Sequence, residues 1–134
     1  MFDRRCVRGL LLLCLAAVVT TLVGCNSPGL VSIQISPSAS FFGGPGLTEQ
    51  LTAFGTFSYG DHPQTQQDIT KIVTWQSSAP GVASVNSPGM LTSGNNYGTV
   101  VITASMQGFT GLVTGQTSVT VCQKLNSTNT GCSD

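Results

Sequence analysis

The chain from Cys25 onward predicts an all-β fold, a sandwich of about seven short antiparallel strands. Three observations carry this expectation. These 110 residues are rich in Thr, Ser, Gly and Val and poor in charge, a composition that suits pleated strands better than helices. Apolar residues recur at every second position in short runs. Clusters of Gly, Pro, Asn and Ser break those runs at intervals of about 8–12 residues, and no stretch of useful length shows helical periodicity. A βαβ arrangement is excluded because no segment can serve as the crossover helix. A closed barrel is the alternative arrangement of the same strands.

Residues 1–24 are set apart from this pattern. Arg4, Arg5 and Arg8 precede the apolar run "GLLLLCLAAVV", and "TTLVGC" follows it. A basic start, a short apolar stretch and small residues at a cut site make a secretory signal. A membrane-spanning helix needs about 20 apolar residues; the run is shorter and ends in Thr20 and Thr21, which argues against an uncleaved anchor. Leu22-Val23-Gly24-Cys25 resembles the lipobox of bacterial lipoproteins. The resemblance implies that the Cys25 thiol takes diacylglycerol, that cleavage precedes Cys25, and that Cys25 becomes the first residue of the mature chain. Acyl chains such as palmitate then hold the protein to the membrane, since each buried methylene contributes about 0.8 kcal/mol and several chains act together. Asn26, rather than Asp, follows the cysteine; in lipoproteins of two-membrane bacteria this favours the outer membrane. The competing reading is a signal cut elsewhere, with Cys25 a plain thiol. Residues 25–29 read as a tether, 30–122 as the sandwich and 123–134 as a polar tail.

From Cys25 onward four acidic side chains (Glu49, Asp61, Asp68, Asp134) stand against Lys71 and Lys124, a net of −2. Without a basic patch, nucleic acid is not an expected partner, and without a polybasic segment headgroup attraction is not the anchoring force. Cys6 and Cys14 belong to the leader. Cys122 and Cys132 remain, and in an oxidising compartment two cysteines this close in sequence most simply pair with each other. Zinc needs about four ligands, and the single histidine, His62, is far away in the chain.

The strands follow in order. "LVSIQIS" alternates Val31, Ile33 and Ile35 with Ser32, Gln34 and Ser36, and Pro37 ends it. "FFGGPG" is a turn-rich connection. "LTEQLTAFGTFSY" places Leu51, Ala53, Gly55, Phe57 and Tyr59 at period two, and "GDHPQTQQD" reads as a loop. "ITKIVTWQSS" puts Ile69, Lys71, Val73 and Trp75 on one side and Ile72 on the other; Trp75 is expected on a central strand, its ring dominating the core. "VASV", with Val85, and "GMLTS", with Leu91, are short extended pieces around "NSPG". "TVVITASM" directs Val100, Ile102, Ala104 and Met106 inward. A loose, glycine-rich region surrounds Phe109, Leu112 and Val113, and "TSVTVC" closes the domain with Val119 and Val121 facing in. Gly89 and Gly98 stand where turns need unusual backbone angles.

The segment "ITKIVTWQSSAPGVASVNSPGMLTSGNNYGTVVITASM" resembles the bacterial Ig-like domain, group 2. The pieces that carry the resemblance are Thr74, Trp75, Ser77 and Ser78; Pro80; Val82, Ala83 and Val85; Gly89, Leu91 and Thr92; and Gly98, Thr99, Ile102, Thr103 and Ala104. Extended by "LTAFGTFSYG" before and "TSVTV" after, it covers about residues 31–121. It implies an Ig-like sandwich, with adhesion, carbohydrate contact or spacing between other parts as candidate roles. The stretches 60–68 and 107–116 are longer than the family pattern.

Chemistry-bearing residues are few. His62, between Asp61 and Pro63, is a conceivable general base, but no partner nucleophile is identifiable. Asp61 and Asp68 flank the 60–68 loop and are an alternative site for calcium, which takes six to eight oxygens; only Glu49 could add a carboxylate. Tyr59, Tyr97 and Phe109 lie near turns and are candidates for an aromatic patch. Asn126-Ser127-Thr128 matches a glycosylation sequon. The expectation is therefore a non-enzymatic lipoprotein of the cell envelope, without cofactor or metal, that binds an unknown protein or carbohydrate. An accessory subunit of a larger envelope complex and a small hydrolase using His62 are the alternatives.

Overall fold

A computed structural model describes residues 28–133. The leader, Cys25 and the start of the tether lie outside the described residues. What is described is all-β and sandwich-like, with ten strands in three sheets: β1 (Gly29–Ser36), β2 (Ala39–Phe42), β3 (Thr48–Gln50), β4 (Thr52–Tyr59), β5 (His62–Asp68), β6 (Thr74–Ser77), β7 (Ala83–Asn86), β8 (Met90–Ser93), β9 (Gly98–Gln107) and β10 (Leu112–Val121). One sheet has the order β1-β4-β5, the second β2-β10-β9-β6, and a small third β3-β8-β7.

The core lies between the first two sheets. β1 and β4 contribute Ile33, Ile35 and Ala53 from one side; β9 and β10 contribute Val100, Ile102, Val119 and Val121 from the other. Leu51 and Leu91, both fully buried, bring the third sheet into the same cluster. The sheets approach closely where β1 crosses β10: a Cβ on Gly115 would stand 2.5 Å from the Ile33 carbonyl oxygen, so a side chain there would force the layers apart. Thr117, buried on β10, donates its hydroxyl hydrogen to the Pro37 carbonyl at 2.8 Å and ties the second sheet to the link after β1.

Ten strands appear where about seven were expected, for three reasons. The run "LTEQLTAFGTFSY" breaks at Leu51, where the chain leaves the third sheet for the first. "ASFF", part of it read as a turn, is β2, which pairs parallel to β10 after the chain crosses between sheets at Pro37. The stretch read as a loop, 60–68, contains β5, an edge strand whose side chains are all exposed. Its polar sequence hid it, because the opposite sheet buries neither of its faces. Pro63 sits where the β4–β5 register is irregular, a place where a missing N–H breaks no regular pairing.

Two inward assignments and one strand start also change. A bulge between Leu30 and Ser32 turns Val31 out to 52% exposure and turns Leu30 in, while Ile33 and Ile35 keep their places. Lys71 and Ile72 belong to a turn closed by Ile72 and Val73 N–H bonds to the Ile69 carbonyl, so β6 begins only at Thr74. Trp75 is on the edge strand of its sheet, not a central one, and is half-buried. The glycine-rich stretch after β9 is a hairpin, with Gly108–Gly111 as its loop and β10 starting at Leu112.

Candidate functional site

Of the side chains expected in the core, Val73, Leu91 and Ile102 are buried, while Trp75 and Val85 are half-buried and pack against the core's edge. Trp75 has a defined seat. Its indole N–H donates to the Thr70 carbonyl at 3.0 Å. Its ring lies over Gly89, where a Cβ would come within 3.0 Å of the ring and 2.8 Å of the Leu51 carbonyl oxygen; the φ of 86° there also favours glycine.

Asp68 serves the same junction. Its Oδ1 accepts from the Thr70 N–H at 2.9 Å and the Thr70 hydroxyl at 2.6 Å. The Thr70 oxygen in turn accepts from the Ala53 N–H at 2.9 Å. The two Thr70 bonds hold the Asp68 carboxyl below its usual range, side-chain bond first, with a smaller contribution from Lys71. Asp68 therefore closes a turn linking β4, β5 and β6. Asp61 lies at the β4–β5 hairpin tip, the far end of β5, and Glu49 on β3. Among the described residues no three His, Cys, Asp or Glu side chains cluster closely enough to hold a metal ion. A cleft of about 450 Å³ between Gln50, Asp68, Lys71, Ile72 and Pro88 borders this turn.

Cys122 and Cys132 are disulfide-bonded, with Cα atoms 5.5 Å apart. The tail is more ordered than its polar composition promises. Leu125 bridges to Cys132 and packs on Gly43. The Asn126 side-chain oxygen accepts from the Thr130 N–H at 3.0 Å and the Thr128 hydroxyl at 3.1 Å. The sequon asparagine is thus committed to holding a turn.

Two surfaces remain as sites. The first is a groove of about 660 Å³ at the pole where β1 begins, bounded by Gly29–Val31, the β4–β5 hairpin and the β9–β10 loop. It unites two of the three aromatics singled out in the sequence. Tyr59 stacks on His62 with ring centres 5.2 Å apart, and Phe109 stands at the groove's edge, 87% exposed. Tyr97 lies at the other pole, just before β9.

The second surface has no counterpart among the residues singled out in the sequence. It is the outward face of the second sheet. Register places Thr99 opposite Thr120, Val101 opposite Ser118, Thr103 opposite Gln116 and Ser105 opposite Thr114. Thr74 and Gln76 on β6 continue the last two rows, and Ala39 and Phe41 on β2 continue the first two. All of these side chains are exposed or half-exposed, and none is charged. Strand spacing and pleat put them on a grid of about 4.8 Å by about 6.8 Å. The Thr99 and Thr120 hydroxyls share a bond at 2.8 Å. The outward positions of each strand are readable from period-two alternation. The face as a whole depends on which strands become neighbours, which the sequence does not state.

No family model matches the chain. Among curated proteins it is similar to ice-binding protein 1 of Shewanella frigidimarina, with 37% identity over 91 residues. The match takes in 68% of this chain but 9% of that protein, so the chain spans a small part of its relative.

Proposed function

We propose that this chain is an exported, lipid-anchored module of the bacterial cell envelope, of the Ig-like kind, that binds rather than catalyses. Its binding surface is the outward face of the β2-β10-β9-β6 sheet. That uncharged, hydroxyl-rich face is the observation that carries the reading. Hydroxyls are cheaper to strip of water than charges and can both donate and accept. A repeating grid of them suits an extended, neutral, hydrogen-bonding surface better than a small molecule. Ice is the first such surface to test, because the similar protein is named for binding it; an uncharged polysaccharide is the second. The disulfide supports an oxidising, extracytoplasmic location, and the order of basic start, apolar run and lipobox supports the anchor at Cys25. His62 supports binding over hydrolysis, since its ring stacks on Tyr59 in an exposed hairpin.

The test is partitioning into a slowly growing ice front, with binding to insoluble neutral polysaccharide in parallel. The unaltered protein is expected to enrich on one of them. Gln116→Lys or Thr103→Lys places a strongly hydrated ammonium on the grid and is expected to abolish enrichment, with stability changed by about 0.5 kcal/mol or less. Gln66→Lys on β5 is the control and is expected to behave like the parent. Equal enrichment of the face variants would move the site elsewhere, and no enrichment on either surface would remove the binding role proposed for this face.

A further inference from the structure

The pole where β1 begins carries the most exposed large apolar side chain described, Phe109, together with Leu112 at 67% and Val31 at 52% exposure. Their exposure is built in. The Gly108 N–H bonds the Gly111 carbonyl at 2.8 Å, closing a loop that presents Phe109 at its tip. The bulge in β1 turns Val31 outward beside it. The base of Phe109 is fixed against the start of β1, because a Cβ on Gly29 would stand 3.1 Å from the Phe109 Cβ.

The described chain also begins at this pole, three residues after Cys25. Three Cα steps separate Cys25 from Pro28, a reach of at most about 11 Å. The headgroup layer of one leaflet is about 5–8 Å thick. A lipid on Cys25 therefore leaves the domain almost no freedom to stand away from the bilayer. We infer that the Phe109 pole is a membrane-seating surface: Phe109, Val31 and Leu112 enter the interface of the bilayer that holds Cys25. This rests on the lipid anchor proposed above. Phe and Leu side chains on a surface-lying element bury at the boundary of headgroups and acyl chains. Among the described residues no lysine or arginine lines the groove, and Asp61 lies in it, so the contact is apolar and independent of anionic lipid. Seating this pole points the opposite one, with Tyr97 and the disulfide, away from the membrane. The ten-residue strands β9 and β10 hold that pole about 30 Å further out.

The experiment uses the full chain, processed in cells and reconstituted into phosphatidylethanolamine–phosphatidylglycerol vesicles containing brominated acyl chains. Phe109→Trp and Tyr97→Trp are compared with the unaltered chain, whose Trp75 supplies the common background. The expected result is a blue shift and bromine quenching of the added emission in Phe109→Trp, unchanged between low and high salt. The added emission in Tyr97→Trp should be unaffected by bromine. Intact mass of the same samples separates the two ways of failing. Equal quenching of the two variants in chains lipidated at Cys25, or no quenching of Phe109→Trp, overturns the seating alone. A chain without lipid overturns the anchor and the seating together.

Discussion

At Trp75 the indole joins three pieces of chain: the Thr70 turn by its N–H, the Gly89 turn by a ring contact, and the core it packs against. Trp75→Ala is expected to destabilise the domain by about 3 kcal/mol, the low end for a large aromatic because the ring is half-buried. Trp75→Phe, which keeps the ring contact and loses the N–H bond, should lose about 1 kcal/mol or somewhat more. Urea melts of the two variants check both. Asp68 gives a pH-dependent counterpart. Its charged form is the one that Thr70 bonds, and its folded value lies below the unfolded one. Its contribution is therefore complete above the unfolded value, about pH 4, and is lost as pH falls through the lower folded value. Melting temperatures compared at pH 7 and pH 3 should fall less on acidification in Asp68→Asn than in the parent. An equal fall would remove Asp68 from the acid response.

The strands divide into those that composition reveals and those that only pairing creates. β9 and the end of β10 are legible because Val100, Ile102, Ala104, Val119 and Val121 recur at every second position, and their outward neighbours are polar except Val101. β5 is not, since an edge strand with both faces in solvent has no apolar period to read. β2 is short, and "FFGG" has the composition of a turn. The phase of β1 is lost at its bulge, because an extra residue reverses inside and outside without leaving a mark in the sequence. The tail is held by connections of a third kind: a covalent bond, the Leu125 contact and the Asn126 turn. By the loop-entropy model, closing a ring of this size contributes at most about 3 kcal/mol, and less where the ring adds little core. Replacing Cys122 and Cys132 by serine together should lower the melting temperature by several degrees, leave the β-sheet circular dichroism unchanged and open the tail to proteases. Loss of the sheet signal would show that the bond holds the sandwich itself.

For the molecule as a whole, the sandwich has two poles and one broad uncharged face, and the covalent order of the chain relates them. The described chain begins at the Phe109 pole, the disulfide and tail close the opposite one, and the proposed binding face runs along β9 and β10 between them. The candidate site is only partly legible in the sequence. The cysteine pair is local and can be read directly; the lipobox-like end of the leader lies outside the described residues. The convergence of Tyr59 with Phe109, and the grid on the second sheet, depend on long-range pairing that no local pattern encodes. In the reading proposed above, both surfaces take their orientation from a lipid on Cys25. The most direct measurement is therefore the intact mass and N-terminal sequence of the chain extracted from cell membranes. The expected chain begins at Cys25 and carries diacylglycerol and a fatty acyl group, and the Cys25→Ser variant leaves the membrane fraction or stays uncut. A mature chain that begins elsewhere, or that begins at Cys25 without added mass, would contradict the lipid anchor and the orientation that follows from it.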